Sequence, residues 1–140
     1  MKILVALDGS AHSRRVLDHL TAHPELLGAN ADVTLLTVVA AVPSHAARFV
    51  TRTMLDQYYT EEADQVLAPA RAHLVNSGIA AQTVPSKGDA ATQIAEHASQ
   101  GGFDLIVMGS HGHSALGNVA LGSVVTGVLA RCSTAVLVVR

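Results

Sequence analysis

The residues with the most chemistry to offer lie between Met108 and Val124, in the stretch MGSHGHSALGNVALGSV. It holds Gly109, Gly112, Gly117 and Gly122 and contains no lysine or arginine. Glycine adopts backbone angles that other residues resist and lets a ligand approach the main chain closely. Gly122-Ser123-Val124 falls near the start of a helix, although Val119 could already be helical. Free N–H groups and the helix dipole at such a point favour an anion, and Ser123 adds a hydroxyl donor. A phosphate chain is an anion of suitable size. His111 and His113 add two imidazoles, but no cysteine, aspartate or glutamate lies near them in sequence, so no metal site is expected.

Familiar motifs fit this stretch poorly. A P-loop needs G-x-x-x-x-G-K-[ST], and no lysine is present; no G-x-G-x-x-G follows the first apolar run. GHSALG (Gly112 to Gly117) misses the hydrolase elbow G-x-S-x-G because Leu116 replaces the second glycine, and Ser114 lies well past the strand end. Cys132, the single cysteine, sits between a helix and an apolar strand and is expected to be buried and inert. His12, His19, His23, His73 and His97 look like solvated helix residues. No catalytic residue is assigned.

Positioning these groups requires a scaffold. Lys2 to Leu7 is a continuous apolar run closed by Asp8-Gly9, which suits a strand buried on both faces. Ser10 can cap a following helix whose apolar face is Val16, Leu17 and Leu20, ending near Pro24. Ala31 to Val39 is a second strand. Residues 40–54 are irregular, a loop or a lid. A helix follows with Tyr59, Ala63, Val66, Ala70 and Leu74 on one face, stopped at Gly78 by a left-handed cap. Ile79 to Ser86 reads as an edge strand, because Pro85 cannot donate to a ladder. Ala91, Ile94, Ala95 and Ala98 mark a third helix. Phe103 to Gly109 is a strong strand, about Val119 to Arg131 a fourth helix, and Thr134 to Val139 the last strand.

Alternation of strands and helices means a parallel sheet covered on both faces. The expected fold is α/β, a single doubly wound, Rossmann-like domain over residues 1–140, with strand order 3-2-1-4-5. Open sheets of this kind bind ligands beyond the strands' carboxyl ends, where the order reverses. Asp8, after strand one, and Gly109, opening the glycine stretch after strand four, meet at that point.

Composition agrees with a compact domain: 49% of the 140 residues are apolar and the formal net charge is −2. Lys2 and Lys87 are the only lysines, so no basic patch suggests nucleic acid. No stretch approaches the roughly 20 apolar residues that span a bilayer, and no secretory signal is read at the N-terminus. A cytoplasmic protein is expected.

With these residues in place, the chain resembles the nucleotide-binding branch of the universal stress proteins. That branch carries G-x2-G-x9-G-[ST] after strand four, matched by Gly109, Gly112, Gly122 and Ser123. VALDGS resembles the family's first strand and acidic turn, and STAVLVVR its last strand. The resemblance implies ATP, ADP or AMP, with or without Mg2+, bound by a stress-response or regulatory module. It implies that Asp8 bonds the nucleoside, Ala6 and Leu7 lie beneath it, Val38 contacts adenine and Met108 flanks the ribose. Gly109, Gly112, Gly122, Ser123 and the Val124 amide would hold the phosphates. It also implies a homodimer paired through the last strand, Ala135 to Val139, an arrangement the exposed apolar edge supports, and a regulatory protein partner. Many relatives place arginine after the first glycine, where this chain has His111 and His113. Triphosphate binding is therefore expected to strengthen as pH falls toward about 6. A slow ATPase or phosphotransferase is the alternative: Asp8 and Ser123 stand near the site, but no local lysine or arginine and no water-positioning glutamate or glutamine does.

Overall fold

A computed structural model describes residues 1–112 and 120–140. The expected helix start at Val119, together with His113, Ser114 and Gly117, lies outside the described residues. The described residues contain five strands: β1 (Lys2–Ala6), β2 (Asp32–Val39), β3 (Ala81–Lys87), β4 (Leu105–Gly109) and β5 (Ala135–Val139). They form one parallel sheet in the order β3-β2-β1-β4-β5. The helices are α1 (Ala11–Ala22), α2 (Ser44–Ala47), α3 (Arg52–Asn76), α4 (Ala90–Gln100) and α5 (Ser123–Arg131). The doubly wound order expected from the alternating pattern is the one observed.

The continuous apolar runs are explained by burial on both faces of the sheet. Successive strand side chains point to opposite faces. Ile3, Val5 and Leu7 join Val33, Leu35 and Val107 in one core, filled by α1 and α3 through Val16, Leu20, Leu67 and Leu74. Leu4 and Ala6 join Leu36, Ile106 and Met108 in the other, filled by α4 and α5 through Ile94, Ala98, Val125 and Val128. A one-residue slip would exchange these two sets, so register is tightly specified.

Local signals set the boundaries. Ser10 caps α1 by accepting from Ser13 N, Thr51 caps α3 by accepting from Met54 N, and Asp89 caps α4 by accepting from Thr92 N. Gly78 turns the chain after α3 with φ 79°, as a left-handed cap requires. β3 is an edge, which accommodates Pro85 opposite Thr37.

Three expectations change. The irregular segment ends earlier than Met54: residues 44–47 form a helical turn and α3 starts at Arg52. The buried face of α3 carries Leu67, with Val66 only half-buried, and the helix continues through Pro69 on its exposed side. There the lost main-chain bond falls on the solvent side. The last helix starts at Ser123, with Gly122 as N-cap, and Ala120 and Leu121 are not helical.

Candidate functional site

At the carboxyl ends of β1 and β4, where the sheet order reverses, a cavity of about 970 Å3 opens. That is near the upper end for small-molecule sites. Ala6, Leu7 and Asp8 enter it from β1, Val38 from β2, and Met108 and Gly109 from β4. His111 and Gly112 line it from the loop, and Gly122, Ser123 and Val124 from the start of α5. Every described residue expected at the site therefore lies on one surface. Its floor is apolar: Leu36, Ile94 and Met108 are almost wholly buried.

Asp8 is held by its own turn. Ser10 N donates to Asp8 Oδ1 at 2.9 Å, and Ser13 Oγ donates to the same oxygen at 2.8 Å. Asp8 N in turn donates to Ser13 Oγ at 2.8 Å. Oδ2 lies on the loop side, where a Cβ on Gly112 would come within 2.5 Å of it.

The glycines act through space rather than unusual angles. None of Gly109, Gly112 and Gly122 has a positive φ, whereas Gly9 and Gly88 do. Gly109 lets α1 approach β4: a Cβ there would meet His12 Cβ at 2.9 Å. Gly122 closes the loop on itself, since its N–H donates to Ser110 O at 2.7 Å and a Cβ would meet that oxygen at 3.1 Å. The Gly122 amide is thus occupied by the protein. That bond holds Gly122 against Ser110, beside the start of α5.

The next three residues, Ser123, Val124 and Val125, begin α5 and line the cavity. Their N–H groups precede the first intrahelical bond, made by Thr126 N to Gly122 O, and no side chain caps this helix end. Three main-chain N–H groups that precede the intrahelical ladder, at the positive end of a helix dipole, therefore belong to residues that line the cavity.

Several placements in and around the cavity were not evident from sequence. Ser13 is buried beneath Asp8. His12 is not a solvated helix residue: its ring lies 5.4 Å from that of His111, and its Nδ1 is buried with no hydrogen-bond partner among the described residues. His111 Nδ1 lies 3.0 Å from Ser110 Oγ. His73 is likewise drawn in, with Nε2 3.2 Å from Asp18 Oδ1. Arg131 reaches the rim, held by its NH1 donating to Gly127 O at 3.0 Å. It stands two turns below the start of α5, about 12 Å along the axis at 1.5 Å per residue. Cys132 is half-buried rather than buried, with Sγ 3.5 Å from Val128 O. Among the described residues no cluster of three His, Cys, Asp or Glu side chains could hold a metal ion, and no helix is long and apolar enough to cross a membrane.

The profile of the universal stress protein family matches residues 1–140. The chain belongs to the universal stress protein family. The universal stress protein YxiE of Bacillus subtilis (strain 168) is 34% identical over 153 residues, covering 99% of this chain and 98% of that protein. The solved structure of MJ0577, a universal stress protein of Methanocaldococcus jannaschii, superposes with a TM-score of 0.82 at 30% identity, over 99% of this chain and 94% of that one. A universal stress protein solved in complex with cAMP has the same fold, with a TM-score of 0.73 at 23% identity, over 100% of this chain and 97% of that one.

Proposed function

We propose that this universal stress protein is a regulatory module that binds an adenine nucleotide, ATP or its ADP or AMP relatives, in the cavity between β1 and β4. One observation carries this reading: an apolar floor, a fixed carboxylate and the three open main-chain donors of α5 converge on one space. The chemistry suits each part of the ligand. Ala6, Leu36, Val38 and Met108 offer a flat apolar surface to a base. Asp8 can accept from a sugar hydroxyl. Ser123, Val124 and Val125 can donate to phosphate oxygens from a helix start. The adenine nucleotide in the cAMP complex of a related fold supports the same ligand class.

A binding module is favoured over a slow ATPase or phosphotransferase by the place of Arg131, the cation on the described lining. It is fastened to Gly127 O, well away from the helix start where phosphates would lie. Charge neutralisation at the transferring group is what phosphoryl transfer most needs.

Titration calorimetry with ATP, ADP and AMP tests the reading, together with mass spectrometry of ligand carried through purification. Saturable binding that Gly122→Val abolishes in a folded protein is expected. A Val side chain there would collide with Ser110 O and His111 Cα, at 3.1 and 3.2 Å from the new Cβ, and spoil the loop closure. Unchanged affinity in that variant overturns the site. Single-turnover assays with labelled ATP are expected to show binding without product; product formation that Asp8→Ala removes favours the enzyme.

A further inference from the structure

We propose that His19 and His23, at the end of α1, form a metal clamp: two imidazoles that hold one divalent transition ion of the zinc, nickel or copper kind, with Glu25 as the carboxylate that orients His23. The clamp is separate from the nucleotide cavity. Ser13 lines that cavity from the first turn of α1, and His23 follows ten residues later, about 15 Å along the axis at 1.5 Å per residue.

The segment from His19 to Glu25 reads HLTAHPE. A spacing of four places both imidazoles on one face of a helix, the arrangement used where one helix supplies two zinc ligands. The turn between them is closed, since His23 N donates to His19 O at 3.0 Å. The ring centroids lie 4.7 Å apart, with planes inclined at 48°. Two imidazoles sharing one ion at about 2.1 Å per bond have centroids about 4.5–5.3 Å apart. The rings therefore already stand at the separation a shared ion needs. The carboxyl end of a helix also favours a cation.

Glu25 supplies an independent observation. Pro24 ends α1 and opens a short 3-10 turn through Leu26, tied down by Leu27 in the core. That turn returns the Glu25 carboxylate to His23, with Oε1 3.1 Å from Nδ1. A ligating histidine usually gives its other ring N–H to a carboxylate, which fixes the tautomer and aims the metal-binding nitrogen. With Nδ1–H directed at Glu25, the lone pair of His23 sits on Nε2. The His23 and Glu25 side chains are 49% and 68% exposed, so an ion can enter from solvent. Among the described residues no third His, Cys, Asp or Glu side chain completes the site, so water fills the remaining positions. Imidazole suits zinc, nickel and copper, whereas Mg2+ seeks oxygen ligands.

Calorimetry of the full chain with ZnCl2, NiCl2 and MgCl2, in a non-chelating buffer, tests the clamp. Zn2+ and Ni2+ should bind and Mg2+ should not. His19→Asn and His23→Asn should each weaken Zn2+ binding about a hundredfold, because the second imidazole acts at high local concentration only while the first is engaged. Glu25→Gln should weaken it about tenfold, as for other orienting partners. His97→Asn, on α4, is the comparator and should keep the parent affinity. The melting temperature should rise with added Zn2+ in the parent and stay constant in both clamp variants, and melts without metal establish that each is folded. Should His19→Asn fail to fold, His23→Asn and His23→Gln, at an exposed position, carry the same test. Parent affinity in the folded clamp variants overturns the proposal. So does Zn2+ binding that disappears in a His111→Asn, His113→Asn double variant instead, equal binding of Mg2+, or a parent that binds no Zn2+. None of these outcomes bears on the nucleotide reading, because no nucleotide is present in the titrations.

Discussion

A Cβ on Gly112 would stand 2.5 Å from Asp8 Oδ2, inside the contact limit of any side chain. Gly112→Ala must therefore displace either the loop or a carboxylate pinned by Ser10 and Ser13. Calorimetry is expected to show ATP affinity falling at least about tenfold, with thermal stability nearly unchanged. Gly109→Ala should behave in the opposite way. Its Cβ meets His12 Cβ at 2.9 Å and the His12 main chain at 3.3 Å, so α1 must move off β4. Overpacking of this kind costs about 1–3 kcal/mol, read as a lower urea midpoint. A Gly109→Ala protein of full stability would show that α1 yields freely. The imidazoles carry a third prediction. Histidine gains charge as pH falls through neutrality, and a bound phosphate favours the charged form. Binding should then strengthen from pH 8 toward about 6, by up to about fivefold. Asp8 faces the same loop, and His12 stands beside His111. The slope should flatten in a His111→Asn, His113→Asn double variant; an unaltered slope, after correction for phosphate titration, assigns the effect to other groups.

At the scale of elements, α4 and α5 meet at Gly127, where an added Cβ would lie 2.6 Å from Ala91 Cβ. Two effects compete in Gly127→Ala. Replacing a mid-helix glycine gains about 1 kcal/mol of helix propensity, while forcing the helices apart costs about 1–3 kcal/mol. Clash should win or draw, and pairing the change with Ala91→Gly should relieve it. Denaturation of both single variants and the double should give a coupling of at least about 1 kcal/mol; additivity within ~0.5 kcal/mol would deny the close contact. The start of α4 depends on Asp89, whose carboxyl is held below its ordinary pKa chiefly by the Thr92 hydroxyl, then by the Thr92 amide. A carboxyl depressed on folding stabilises above its unfolded value of about 3.9. That contribution is lost as pH falls through the folded value. Asp89→Ala should therefore lower the melting temperature at pH 7, and the difference from the parent should shrink steadily as pH falls below about 3.9. Helix ends were legible in sequence where they are announced locally, as by Ser10 and Gly78; the Asp89 cap was not read there. Ser13, His12 and Gly127 were not legible. Their roles arise where chain segments meet in space: a hydroxyl under a carboxylate five residues back, a ring against His111, a bare Cα against Ala91. The glycine spacing pointed to residues that line one cavity, yet not to how each glycine is used, because spacing alone does not separate room for a ligand from room for a neighbouring helix.

For the whole molecule, the strand order leaves two edges, and they are treated differently. β3 carries Pro85 and a mostly exposed run, both of which discourage further pairing. β5 reads AVLVV, with Val136, Leu137 and Val138 only half-buried and no proline or charge within the strand. An apolar edge of this kind invites a second strand, and the family resemblance points to a second copy of the chain. The ladder shows which groups would meet it. Ser110 N donates to Val139 O, so Val139 directs its main chain toward β4. In a parallel strand, alternate residues send N–H and C=O to opposite sides. Leu137 therefore also faces β4, while Val136 and Val138 present theirs outward. Val136→Pro deletes one outward donor without touching the β4 ladder, a substitution that edge strands tolerate. If β5 pairs with its copy, sedimentation velocity should show a dimer for the parent and a folded monomer for Val136→Pro. Leu137→Pro should instead break the bond to β4 and unfold the edge. A Val136→Pro protein that remains dimeric, with unchanged secondary structure, would place the contact elsewhere on the surface and leave β5 an unpaired edge.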